Sequence, residues 1–150
     1  MRAVVQRVLK AGVSAEGGRH AEIGPGVLVL LGVAPGDGDA EIAWMSHKIA
    51  ALRIFSDREG KMNLSLRDTG GDAMVVSQFT LYADTTRGNR PGFSGSAGFE
   101  AALPVYEHFI RNFERQLEKP VQTGWYGAEM QVFLVNDGPV TLLIDSPEHT

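Results

Sequence analysis

Apolar residues along this chain either alternate with polar ones or recur at helical spacing, and the two patterns divide it into elements. "RAVVQRVLKAGVSAEG" (residues 2–17) alternates and predicts a strand. "RHAEIGPGVLVLLGVAPGDGD" (19–39) predicts its antiparallel partner, and Gly26 to Val33 is apolar throughout, as expected of a strand buried on both faces. Ile42, Met45, Ile49 and Leu52 then mark one face of a helix, with Asp37 and Asp39 as candidate N-caps. "GKMNLSLRDTGGDAMVVSQFTLYAD" (60–84) reads as strand, Gly-Gly turn, strand. A second helix is predicted over Phe99 to Glu118, with Tyr106, Phe109, Ile110, Phe113 and Leu117 on its apolar face. Pro104 is compatible with such a helix only in its first turn or at a kink.

The last segment alternates at even positions, through Val132, Leu134, Val140, Leu142 and Ile144. Asn136-Asp137-Gly138-Pro139 interrupts it, which suggests two strands around a turn. The composition of those four residues, taken by itself, favours a plain hairpin. The elements add up to an α+β domain covering residues 1–150. Its expected form is a curved, largely antiparallel, barrel-like sheet with two main helices packed on one side.

Composition narrows the function. A chain of 150 residues, 43% apolar and 21% charged, is long enough for a sizeable core. It has no cysteine, which excludes disulfides and thiolate chemistry. No apolar run reaches the length of a membrane span, and the N-terminus lacks the core of a signal peptide, so the expected location is cytoplasmic. A net charge of −4 argues against a protein that coats nucleic acid, but not against one that grips an RNA end through a local patch.

The usual catalytic constellations are missing. His20, His47, His108 and His149 lie far apart without metal-ligand spacing, and no metal or cofactor is expected. "GPGVLVLLG" flanks a strand rather than opening a helix, so it is no phosphate loop. Glu107 and Glu114 fall on a helix face where Arg111 and Arg115 can pair with them. Two features invite a functional reading. Ser77, Gln78 and Thr80 interrupt an otherwise buried strand, as an internal hydrogen-bonded network or as the floor of a site. The polar loop "TTRGNRPGFSGSAG" (85–98) is longer than a compact domain usually spends on a connection.

Taken in order, these pieces resemble the D-aminoacyl-tRNA deacylases, also called D-tyrosyl-tRNA deacylases. "SQFTL" (Ser77–Leu81) and "NDGPVT" (Asn136–Thr141) look like the family's two signatures. "VQRV" (Val5–Val8), "GVLVLLGV" (Gly26–Val33), "RIFSDREGKMNLSL" (Arg53–Leu66), "RGNRPGF" (Arg87–Phe93) and "TGWYGAEMQVFLVNDGPVT" (Thr123–Thr141) extend the match over nearly the whole length. Gly92 and Trp125-Tyr126 depart from the residues usual in relatives.

The resemblance implies a homodimer that hydrolyses the ester joining a D-amino acid to the 3′-terminal adenosine of tRNA, rejects L-aminoacyl-tRNA and accepts glycyl-tRNA. It implies catalytic roles for Ser77, Gln78, Phe79 and Thr80. It implies a cis Gly138-Pro139 that reaches across the dimer into the partner's active site, supported by Arg7, with Met130 among the substrate-binding residues. Lys61, Arg87 and Arg90 are the candidate tRNA contacts, with Arg58 nearby.

No strong base accompanies the signatures. Thr80 is either a nucleophile, for which no activating partner is evident, or a hydrogen-bonding group while a ribose hydroxyl of the RNA assists the water. Two other classes remain, a binding domain that kept the fold and a general serine or threonine esterase. The first is distinguished by loss of Gln78, Thr80 or Gly-Pro, and the second by a histidine or lysine within reach of Ser77 or Thr80.

Overall fold

The computed structural model describes residues 1–148, so His149 lies outside it. The chain runs through β1 (Arg2–Ala15), β2 (Arg19–Ile23), β3 (Gly26–Gly32) and α1 (Asp39–Ala51). A small hairpin of β4 (Phe55–Ser56) and β5 (Met62–Leu64) follows, then a short α2 (Leu66–Thr69) and β6 (Asp72–Ser77). A 3-10 turn (Phe79–Tyr82), α3 (Phe99–Leu117), β7 (Gln122–Thr123) and β8 (Met130–Asp145) complete it.

β1 is the axis of the sheet. One edge pairs antiparallel with β3 through Arg2–Val8 and with β2 through Ala11–Ala15. The other edge pairs antiparallel with β8 over nearly its whole length. Beyond β3 the sheet becomes parallel, β3 to β6 and β6 to β7. The result is a mixed, nearly closed sheet with α1 and α3 against one side.

Alternation explains how this sheet holds two cores. On β3, Val27, Val29 and Leu31 face the cluster that contains Ile42, Met45 and Ile49 of α1 and Phe109 and Phe113 of α3. Leu28 faces the opposite cluster, with Met74 and Val76 of β6. The uninterrupted apolar run of β3 is therefore two interleaved faces, both buried. On β1, Ala3 and Val5 enter the first cluster, whereas Val8, Ala11 and Val13 enter the second. Odd positions change sides because the register slips. Residues 137–140 of β8 stand opposite Arg7 alone, and Leu9 of β1 has no partner. An unpaired residue in one strand moves every later side chain to the other face.

That slip overturns the hairpin reading of Asn136-Asp137-Gly138-Pro139. Both halves of β8 pair antiparallel with β1, so the chain keeps its direction through the Gly-Pro and bulges out of the ladder. The Gly138–Pro139 peptide bond is cis, and Gly138 has a φ of 124°.

Three further expectations change. Residues 60–84 do not form strand, Gly-Gly turn, strand. β5 pairs with β4, and the residues after it are wound into α2 by a cap in which Ser65 Oγ accepts from Asp68 N and Asp68 Oδ2 accepts from Ser65 N. Gly70, at φ 66°, ends that helix instead of turning a hairpin. Neither Asp37 nor Asp39 caps α1. Gly38 holds the position and its N–H donates to Glu41, while Asp37 folds back on Ala34 N and pairs with the Met1 ammonium at 2.9 Å. Pro104 lies in the second turn of α3 rather than the first. Among the described residues, no helix is long and apolar enough to cross a membrane.

The parallel β3–β6 contact depends on a missing side chain. A Cβ on Gly26 would sit 1.8 Å from the Asp72 carbonyl oxygen, which belongs to backbone and cannot rotate away. Gly26→Ala is expected to destabilise the fold by about 2 kcal/mol or more in chemical denaturation, at the upper part of the overpacking range. Gly12→Ala, whose Cβ would first meet the Phe133 side chain, which can rotate, is expected to cost less.

Candidate active site

The ladder between β3 and β6 ends with Gln78 N donating to Leu31 O at 2.8 Å, and the chain then turns sharply. Residues Phe79–Tyr82 form the 3-10 turn, closed by Leu81 N to Gln78 O and Ala83 N to Thr80 O. Gly32 permits the turn to lie close, since a Cβ there would stand 3.2 Å from both Gln78 O and the Tyr82 ring. The strand interrupted by Ser77, Gln78 and Thr80 thus stops at Ser77. Thr80 is exposed and Gln78 half-buried, and Gln78 Nε2 donates to Thr80 Oγ1. Among the described residues, the amides of Phe79 and Thr80 donate to no acceptor within the chain.

Beside this turn lies a cleft of about 630 Å³, lined by Ser77, Gln78 and Phe79 on one side and Met130 and Val132 on another. Further walls come from Phe93 and Ser96 to Gly98 of the long polar loop, from Phe99 and Ala102 of α3, and from Tyr126. Two aromatic pairs stand in these walls: Phe79 meets Phe93 edge to face at 5.1 Å, and Phe99 lies 4.9 Å from Tyr126. Tyr126 Oη donates to Phe99 O at 2.6 Å, fixing the ring. Gly127, at φ 79°, leaves room for Phe99, whose ring a Cβ there would meet at 2.7 Å. Met130 Sδ accepts from Trp125 N at 3.3 Å, which ties the start of β8 to the cleft wall.

No side chain at the cleft is a ready base. His20 contacts Glu22, His47 contacts Arg67 and His108 contacts Asp39, and none of them lines the cleft. Burial raises the phenols of Tyr106 and Tyr126, and pushes Tyr82 up to about 12, with the charge of Asp37 adding to it. These phenols stay protonated at neutral pH. Among the described residues, no three His, Asp or Glu side chains converge on a point.

Gly138 and Pro139 are not among the residues lining this cleft. They are exposed, and their bulge is held from beneath. Arg7 Nε donates to Asp137 O at 3.1 Å and Nη1 to Ile54 O at 2.6 Å, and the guanidinium also pairs with the Asp137 carboxylate at 3.4 Å. Asn136 Nδ2 bridges Arg7 O and Val140 O, both at 2.9 Å. Arg7 therefore supports the bulge, Met130 lines the cleft, and the two signatures remain apart within one chain.

Lys61 sits at the exposed tip between β4 and β5, near Glu59. Arg87 and Arg90 lie in the exposed loop between Asp84 and Gly92, which bridge to each other, and among the described residues neither has a hydrogen-bonded or charged partner.

Sequence reading had missed the wall residues Phe93, Phe99 and Tyr126 and the bridging role of Asn136. The length of the polar loop was the one signal for the wall. Asn136 stood inside a quoted motif without an assigned role.

Comparison with known proteins adds to this geometry. Residues 4–145 match the family model described as D-Tyr-tRNA(Tyr) deacylase. A D-aminoacyl-tRNA deacylase of Chlorobium limicola is 66% identical over 148 residues, covering 99% of each chain. One of Chlorobaculum tepidum is 55% identical, again over 99% of each. Among solved structures, a c-Myc DNA unwinding element binding protein superposes with a TM-score of 0.91 at 39% identity, over 99% of this chain and 100% of the other. A probable eukaryotic D-amino acid tRNA deacylase shares the fold at a TM-score of 0.81 and 16% identity, over 97% and 98%. The match over nearly every element described above places the chain in the D-Tyr-tRNA(Tyr) deacylase family.

Proposed function

We propose that this protein hydrolyses the ester between a D-amino acid and the 3′-terminal adenosine of tRNA. One observation carries the reading: a hydroxyl and two unused backbone amides stand beside an aromatic cleft that contains no side-chain base. The cleft volume of about 630 Å³ and its aromatic side chains suit a nucleoside. Binding the adenosine, which every substrate shares, leaves the amino acid at the mouth. The amides of Phe79 and Thr80 are the donors for the developing oxyanion. Gln78 occupies one lone pair of Thr80 Oγ1, and the Thr80 O–H remains to hydrogen-bond the substrate. With no base to activate Thr80, the neighbouring ribose hydroxyl of the RNA assists the attacking water.

Chirality is tested by main chain. The Gly138-Pro139 bulge is rigidly supported yet faces nothing in its own cleft. Phe133 and Val135, on one face of the same strand, are 39% and 40% exposed, an apolar pair suited to a second copy of the chain. In a homodimer the bulge enters the partner's site and collides with any L side chain. A rigid backbone rejects a wrong shape more sharply than a pocket rewards a right one. Glycine, with no side chain, passes, so glycyl-tRNA is also a substrate.

Lys61, Arg87 and Arg90, with Arg58 nearby, supply local phosphate contacts on an acidic protein.

Thr80→Ala is expected to slow deacylation about fivefold, the worth of one hydrogen bond of about 1 kcal/mol. A substrate lacking the neighbouring ribose hydroxyl is expected to lose roughly a hundredfold or more. Complete loss of activity in Thr80→Ala, with binding intact, would overturn the RNA-assisted route.

Gly138→Val is expected to change the ratio of D- to L-aminoacyl-tRNA hydrolysis at least tenfold, measured beside glycyl-tRNA. Equal ratios in variant and wild type would remove the bulge from stereochemical selection. Arg87→Ala is expected to weaken tRNA binding and to lower the salt slope by about one.

A further inference from the structure

The 3-10 turn that carries Phe79 and Thr80 is short, and its own hydrogen bonds are few. Besides the end of β3 beneath it, one side chain near the N-terminus holds it from outside. Arg2 Nη1 donates to Leu81 O at 3.0 Å. Its Nε and Nη2 reach the two carboxylate oxygens of Asp145 at 2.7 and 3.4 Å. Its guanidinium carbon lies 4.9 Å from the centre of the Tyr82 ring. Two residues of the turn, Leu81 and Tyr82, are therefore held by one planar group, and that group is anchored to the end of β8. From the other side, Tyr82 packs against Gly32, where a Cβ would come within 3.2 Å of the ring.

We propose that Arg2 is a positioning residue of the active site, fixing the orientation in which the turn presents the Phe79 and Thr80 amides and the Thr80 hydroxyl. This rests on the assignment of that turn to ester hydrolysis. The geometry requires arginine. Three separate N–H vectors of one rigid plane serve two acceptor groups, while the cation lies over an aromatic ring. A lysine ammonium at this place reaches Leu81 O or Asp145, and cannot span both with the same alignment. Leu81 O lies at the C-terminal end of the turn, where carbonyls have no partner within a 3-10 or α-helix, so the Arg2 contact satisfies a group that otherwise faces water. An exposed ion pair adds little to global stability, so losing it is felt at the turn and not in the fold.

The experiment compares wild type with Arg2→Ala, Arg2→Lys and Asp145→Asn. Steady-state hydrolysis of D-aminoacyl-tRNA is measured together with hydrogen exchange of the Ala83 amide, which donates to Thr80 O and so reports on the turn. The expected result for Arg2→Ala is a kcat lowered about tenfold, a KM within twofold of wild type, an unchanged midpoint of chemical denaturation, and Ala83 exchange accelerated about tenfold. Arg2→Lys is expected to recover less than half of the lost kcat. Asp145→Asn, which leaves the Leu81 contact in place, is expected to have a smaller effect on both readouts. A kcat within twofold of wild type in Arg2→Ala, or Ala83 exchange unchanged, would overturn the proposal. So would a loss of kcat matched by a fall in the denaturation midpoint. If wild type itself fails to hydrolyse the ester, the functional reading falls, and the exchange measurement still decides whether Arg2 holds the turn.

Discussion

The antiparallel ladder between β1 and β8, and the break in it at Arg7, constrain the rest of the molecule. Two long strands paired without interruption would present one face to one core. Here residues 137–140 bulge opposite Arg7 and Leu9 is left unpaired, so the same pair serves the helix-covered core at one end and the second core at the other. The backbone groups released by such a bulge need new partners, because an unsatisfied polar group costs about 1–3 kcal/mol when shielded from water. Arg7 and Asn136 provide them, through bonds to Asp137 O, Arg7 O and Val140 O. The bulge that divides the cores is in this way also a rigid, outward-facing piece of main chain.

The candidate site grows from the other irregularity, the end of β6. A parallel strand buried between β3 and β7 delivers its last residue, Ser77, to the rim of the sheet. Among the described residues, the tight turn that follows leaves two amides without carbonyl partners. Around it the chain has placed apolar and aromatic surface from α3, the polar loop and the start of β8. The chemistry available there is positional. Hydrogen-bond donors and a shaped cavity are present, and among the described residues no Asp, Glu, His, Lys or Arg side chain lines it.

Several elements were legible from residue pattern. The strand of Arg2–Ala15, the doubly buried run of β3 and the apolar face of α3 follow from spacing, because burial demands apolar side chains at the period of the backbone. The partners of those elements were less legible. β5 was expected to pair with β6 across Gly70-Gly71, but local capping by Ser65 and Asp68 made a helix there and left β5 to β4. Gly38, with no side chain, took the N-cap position expected of Asp37 or Asp39, because Asp37 had a stronger use in pairing with the Met1 ammonium.

The same division runs through the site. Ser77, Gln78, Phe79, Thr80, Gly138 and Pro139 could be named from their motifs, since each motif is contiguous in the chain. The aromatic walls Phe93, Phe99 and Tyr126 could not, since they converge from a loop, a helix and a later segment that meet only after packing. Whether Gly138-Pro139 turned the chain back or bulged from a continuing strand was equally hidden. Four turn-forming residues permit both, and the choice is made by β1, whose far half pairs with the residues before the Gly-Pro and whose near half pairs with those after it. Sequence alone determined which residues are apolar, where the main apolar-periodic strands and helices lie, and which short runs carry the signatures. Tertiary structure decided register, sheet partner and the shape of the cleft, because these depend on contacts between residues far apart in the chain, whose energies no local pattern contains.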